Sequence, residues 1–113
     1  METKKARNYS RYTKEAVILL GKQVQLGRKE RGLTEKDLAE RAGISRTTLQ
    51  KIEKGDLKCE LGLALEVAVL VGVKLFEAEN LASFSAGIDR VSDKIALFPK
   101  SIRKKQKGVD DAF

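Results

Sequence analysis

The sequence predicts an all-α fold, a compact bundle of five helices between a flexible N-terminal arm and a C-terminal tail. Two observations predict it. The 113 residues are rich in Leu, Ala, Val, Lys, Arg and Glu, which are typical of helical chains. Apolar residues also recur at helical spacing in segments that end at glycines. With 42% apolar residues, the chain can bury one core of the size of a small domain.

Helix-start and helix-stop residues divide the chain into elements. Polar residues with hydroxyl groups precede apolar periodic runs, and glycines follow them, as is typical of helix caps. The predicted helices span about Thr13 to Arg31, with Thr13 as N-cap, then Thr34 to Ala42, Ser45 to Gly55, residues 60–72 and about Leu75 to Leu81. The predicted segments are a flexible basic arm at 1–12, a folded domain at 13–82, and an extension at 83–113 that is partly helical around Ile88, Val91 and Ile95 and then disordered.

The composition excludes several classes of function. The chain has no histidine, so it offers neither a His-based catalytic triad nor a His metal ligand. Its single cysteine, Cys59, permits no internal disulfide or CxxC pair and is expected to be an inert side chain. No glycine-rich phosphate motif occurs. No apolar run approaches the ~20 residues of a membrane span, and the first residues do not resemble a signal peptide. We therefore expect a cytoplasmic protein that is not an enzyme and needs no cofactor or metal.

The charge is basic and unevenly distributed. The formal net charge is +7, with nine basic and three acidic residues in 1–31 and seven basic and four acidic residues in 83–113. The centre of the chain is slightly acidic. Basic flanks favour a polyanion such as nucleic acid, because phosphate neutralisation dominates that affinity. The alternative is that they only aid solubility.

The most informative stretch runs from Glu35 to Lys54. It predicts two short helices separated by a turn at Gly43, with small Ala39 where the helices cross. The residues that fill the wedge between these helices are Leu38, Ile44, Leu49 and Ile52. This spacing fits a helix-turn-helix motif.

Residues Gly32–Gly55 (GLTEKDLAERAGISRTTLQKIEKG) resemble the Cro/CI-type (XRE) helix-turn-helix repressors, and the resemblance extends from about Leu19 to Glu77. It implies a five-helix DNA-binding domain whose third helix enters the major groove. It also implies a structural ion pair between Arg28 and Glu53. The segment 56–60 departs from the family because it lacks the proline that many relatives carry there.

The outward face of the third helix carries the candidate base-reading residues. Arg46 is expected to bind a guanine and Thr47 to contact a thymine methyl, whereas Gln50 or Lys51 is expected to read a purine. Hydroxyls at helix starts and the lysine that ends this helix are expected to contact phosphates, although the hydroxyls also serve as caps. The predicted DNA-binding residues are Thr34, Ser45, Arg46, Thr47, Gln50, Lys51 and Lys54.

Two kinds of protein partner are also expected. Relatives of this family bind DNA as two-fold dimers, and the helix at 60–72, apolar nearly all round, either supplies a dimer face or is only the core helix. The tail from Ser101 to Phe113 is similar to the tails of HipB-like antitoxins, which implies binding to a HipA-like serine/threonine kinase toxin. The alternatives are a stand-alone regulator with a disordered basic tail, or a module that bridges proteins without reading DNA.

Overall fold

The structure is a computed structural model that describes residues 7–76 and 80–101. Over these residues it contains helices and no β-strand, which confirms the all-α class. The five helices are α1 (Arg11–Glu30), α2 (Glu35–Ala42), α3 (Arg46–Lys54), α4 (Leu61–Leu70) and α5 (Leu81–Ile95). Most of the expectations for the N-terminal arm and the basic tail fall on residues outside the described ranges.

The chain divides into two compact units, Met1–Leu75 and Phe76–Phe113. The first unit contains α1 to α4, and the second contains α5. Among the described helices, none combines the length and hydropathy that crossing a bilayer requires.

Helix α1 begins earlier than the sequence indicates. Ser10 is its N-cap, and the Ser10 hydroxyl accepts a hydrogen bond of 3.1 Å from the backbone N–H of Thr13. The prediction of Thr13 as the N-cap is therefore wrong. Both residues carry the hydroxyl that a cap needs, and the polar residues before Thr13 gave no apolar period that would distinguish them.

The caps of α2 and α3 confirm the predicted helix-turn-helix. Thr34 and Asp37 form a reciprocal capping box at the start of α2, and the Ser45 hydroxyl accepts a 3.0 Å hydrogen bond from the Thr48 N–H at the start of α3. Between them, Gly43 has φ +71°, a left-handed conformation that side chains with a Cβ rarely adopt. The turn therefore depends on a glycine at this position.

The core of the first unit lies where α1 and α2 each pack against both α3 and α4. Its largest fully buried side chains are Val24, Leu38, Leu49 and Val67. Ala39 and Ile52 are also buried, and Ile44 packs against the cluster. The residues predicted to fill the wedge between α2 and α3 are thus confirmed.

Close contact between α1 and α3 depends on Gly21. A Cβ atom at this position would lie 2.5 Å from the carbonyl oxygen of Ile52 and 2.6 Å from that of Glu53. No side chain fits at that distance, so glycine sets the depth at which α3 sits against α1. The sequence pattern gave no indication of this role.

The fifth helix lies further along the chain than predicted. Leu75 and Phe76 are not helical, and α5 begins only after Asn80, whose side chain accepts a 2.8 Å hydrogen bond from the Ser83 N–H. The prediction of a helix over Leu75 to Leu81 is therefore wrong at Leu75, Phe76 and Asn80, and residues 77–79 lie outside the described ranges. The helical segment expected around Ile88 is part of a longer helix of 15 residues. The start of this helix was predicted too early because the side-chain cap at Asn80 was not recognised.

Candidate nucleic-acid interface

Helix α3 has one buried and one exposed face. Leu49, Ile52 and Glu53 are buried on the side that faces the core. The exposed side carries Arg46, Thr47, Lys51 and Lys54, whereas Gln50 is half-buried. An α-helix with its side chains is about 10–12 Å in diameter, and it therefore fits the major groove of B-DNA, which is about 12 Å wide. The predicted base-reading residues therefore share one accessible face.

The two predicted phosphate contacts at helix starts, Thr34 at α2 and Ser45 at α3, differ in their surroundings. At α2, the Asp37 carboxylate accepts a 2.9 Å hydrogen bond from the Thr34 N–H, and this bond with the Thr34 backbone lowers the pKa of Asp37. A negative charge already occupies the start of that helix. The first turn of α3 contains no acidic residue, so its free N–H groups beside Ser45 remain more favourable for an anion. Of the two, Ser45 is better suited to a phosphate.

Glu35 contacts two of the predicted base readers. Its Oε1 atom accepts a hydrogen bond from Arg46 Nε at 3.2 Å and another from Gln50 Nε2 at 2.9 Å. These bonds lower the pKa of Glu35, the contact with Gln50 most strongly. Nothing in the sequence pattern pointed directly to Glu35 as a contact of these two side chains. Its place as the first residue of α2, which packs on α3, was the available signal.

A buried ion pair joins α1 to α3. Arg28 donates to both carboxylate oxygens of Glu53, through Nε at 2.7 Å and Nη2 at 3.0 Å. A third bond of 3.0 Å runs from Arg28 Nη1 to the carbonyl oxygen of Leu33. The hydrogen bond to Glu53 raises the pKa of Arg28 above its ordinary value. The ion pair that the family resemblance implied is confirmed, and it fixes the C-terminal end of α3 from its buried side.

An open cleft of about 380 Å³ borders this region. It is lined by residues of α1, α2 and α3: Ile18, Lys22, Gln25, Glu35, Gln50, Glu53 and Lys54. Lys22 was not among the predicted DNA contacts, although it lines the same cleft as Lys54. A charged residue in the middle of α1 gives no local signal that it lies near α3, since this proximity arises only in the folded chain.

Cys59 belongs to the packing of the first unit. It lies partly buried against the core cluster, and this desolvation raises the pKa of its thiol. A raised pKa leaves less of the reactive thiolate. These observations support the expectation of an inert side chain.

Comparison with known proteins agrees with this geometry. Residues 24–77 match the family described as Helix-turn-helix. The chain is 46% identical over 43 residues to an uncharacterized HTH-type transcriptional regulator of Methanocaldococcus jannaschii, a match that covers 38% of this chain. It is 47% identical over 45 residues to another such regulator, of Methanothermobacter thermautotrophicus, which covers 40% of this chain. The matches span 65% of the length of each relative. No solved structure matches the chain significantly.

Proposed function

Since residues 24–77 form a helix-turn-helix domain and the chain is homologous to HTH-type transcriptional regulators, we propose that it is a sequence-specific repressor that binds double-stranded DNA. The observation that carries this proposal is the exposed face of α3, where Arg46, Thr47 and Lys51 lie together above a buried, ion-paired opposite face. The protein acts by binding and not by catalysis, in the cytosol where the operators of a prokaryotic cell lie.

In this proposal, α3 lies in the major groove with its N-terminal end towards the base edges. Arg46 donates two hydrogen bonds to a guanine, and Thr47 contacts a thymine methyl in the next step. Gln50 and Lys51 reach the following purine. Ser45 and Lys54, at the two ends of the helix, bind phosphates and so set the position of the helix without reading sequence.

Alanine substitution of the base readers tests this proposal. The target is a duplex selected by the wild-type protein from a random-sequence pool, compared with scrambled duplexes of the same composition. We expect Arg46→Ala to lose about 1–3 kcal/mol of discrimination at one base pair. Lys54→Gln should weaken binding to all duplexes alike and reduce the salt dependence. Arg41→Ala is the control, because it removes the same charge from an exposed site on α2.

The outcomes separate the reading of DNA from a bridging role. If Arg46→Ala weakens binding to selected and scrambled duplexes by the same factor, as Arg41→Ala is expected to do, α3 does not read sequence. The protein-bridging alternative would then replace this proposal.

We further propose that the repressor binds as a homodimer. One face of α4 carries Leu61 and Val69, which are 71% and 68% exposed, with half-buried Leu65 between them at helical spacing. A two-fold pair of such faces suits the two half-sites, about 34 Å apart, that dimers of this architecture contact.

Sedimentation velocity tests the dimer. Val69→Glu is expected to convert a dimer to a monomer, whereas Tyr12→Glu, at another exposed apolar residue in the first turn of α1, is expected to leave it intact. A wild-type protein that is monomeric at about 100 μM, both free and on DNA, would contradict the proposal.

The finer proposal concerns the operon. We propose that the protein is the antitoxin component of a toxin–antitoxin pair and binds a HipA-like serine/threonine kinase. The support is the tail sequence, a basic cluster followed by Val109–Phe113, together with the repressor fold. Co-purification with the kinase encoded beside it, lost on deletion of residues 101–113, is the expected result. If the protein is instead a stand-alone regulator, no such kinase is encoded beside it, and the same deletion reduces only its non-specific affinity for DNA.

A further inference from the structure

Glu35 is the one acidic side chain that contacts the exposed face of α3 in the described part of the chain. An acidic group is unexpected beside a surface that is to meet phosphates. The contact that Glu35 makes is more than a surface ion pair, because its Oε1 atom accepts hydrogen bonds from both Arg46 and Gln50. The side chain of Arg46 is 65% exposed, so solvent screening leaves the pair with little stabilising effect. The contact matters instead because it orients the side chains of Arg46 and Gln50.

The contact fixes which hydrogen-bonding groups Gln50 has left. An ionised carboxylate only accepts hydrogen bonds, so the Gln50 amide must turn its NH₂ group towards Glu35. One N–H and the carbonyl oxygen of Gln50 remain. That pair of groups matches the N7 acceptor and N6 donor of adenine.

The same contact orients Arg46. Glu35 takes the Nε–H of the guanidinium, which leaves its two terminal nitrogens free. These are the atoms that donate a bidentate pair to the O6 and N7 of guanine. The carboxylate thereby holds both readers before DNA arrives, which lowers the entropy lost when they bind.

We propose that Glu35 is a specificity-determining positioning residue, whose carboxylate sets the base preference of Arg46 and Gln50 without touching a base. The inference rests on the proposed function. The lowered pKa of Glu35 agrees with it, because the carboxylate stays ionised at neutral pH.

The test compares base-preference profiles. Wild-type protein, Glu35→Gln and Glu35→Ala are measured against the duplex selected by wild type and against every single base-pair variant of that duplex. Glu40→Gln is the matched control, since Glu40 is exposed on the same helix and makes no side-chain hydrogen bond or ion pair among the described residues. Thermal unfolding of each variant checks that the fold is retained.

We expect Glu35→Ala to reduce the preference by about tenfold at one or two base pairs, with binding to scrambled DNA unchanged or tighter. Glu35→Gln retains one acceptor oxygen but no charge and is expected to lie between wild type and Glu35→Ala. Glu40→Gln should shift all duplexes equally. A Glu35→Ala profile parallel to that of wild type, whether at equal or at lower affinity, would overturn the inference. A wild-type protein that selects no sequence at all would instead overturn the proposed function.

Discussion

The buried guanidinium of Arg28 makes three hydrogen bonds, two to Glu53 and one to the carbonyl oxygen of Leu33. Both side chains of the ion pair are less than a tenth exposed. A pair of this kind contributes little over an apolar pair of the same size, but the loss of either partner leaves a buried charge without compensation. The pair therefore links α1 to α3 while adding little stability of its own.

Substitution of one partner tests this argument. Glu53→Ala is expected to lower the free energy of unfolding by about 3–5 kcal/mol, measured by urea denaturation. The double variant Arg28→Met/Glu53→Met should lose less than Glu53→Ala alone, because no charge remains buried. A double variant that is less stable than Glu53→Ala would show that the charges themselves stabilise the fold.

Asp37 predicts a pH dependence at the start of α2. Its pKa lies below the ordinary value of 3.8, chiefly because its carboxylate accepts a hydrogen bond from the Thr34 N–H. A depressed folded-state pKa means that the ionised carboxylate stabilises the fold above the ordinary pKa. That contribution disappears as the pH falls through the folded-state value.

The stability difference between wild type and Asp37→Asn isolates this effect. We expect the difference to be constant from pH 7 to pH 5 and to shrink below about pH 4, as followed by urea denaturation. Glu40→Gln serves as the control on the same helix. A difference that persists unchanged at the lowest pH would show that the charge of Asp37 contributes nothing.

At the scale of helices, the contact between α1 and α3 depends on the missing side chain of Gly21. Gly62, in α4, has no atom within 4 Å of the place where a Cβ would lie. The two positions therefore provide a matched pair of helical glycines. Both glycines lie within helices, but only Gly21 is packed against a neighbouring helix.

Alanine at these two positions should have opposite effects. Gly21→Ala is expected to destabilise the fold by about 1–3 kcal/mol through overpacking, whereas Gly62→Ala should stabilise it by about 0.4–1 kcal/mol through lower entropy of the unfolded chain. Thermal or urea unfolding measures both. Equal effects at the two sites would mean that α1 and α3 are free to move apart.

The elements that the sequence predicted share one property, which is that their signals are local. Thr34, Gly43 and Ser45 act on backbone groups within a few residues, so a cap or turn residue is sufficient to predict them. Gly21 and Glu35 act on a neighbouring helix, and their roles could not be inferred before that helix was placed. The start of α5 was missed although its cap, Asn80, is also local.

For the whole molecule, the charge pattern and the shape of α3 support different parts of the proposed DNA binding. The net charge of +7 supplies affinity that does not depend on sequence and that salt weakens. In the proposed function, the exposed face of α3 supplies discrimination between base pairs, which salt affects much less. These two contributions can be measured in one experiment.

The most direct test of the account is the affinity of the wild-type protein for its selected duplex and for a scrambled duplex at two salt concentrations. We predict a preference of at least about a thousandfold for the selected duplex, retained at the higher salt while both affinities fall. Equal and steeply salt-dependent binding to both duplexes would show that the basic flanks bind DNA and that α3 does not read it.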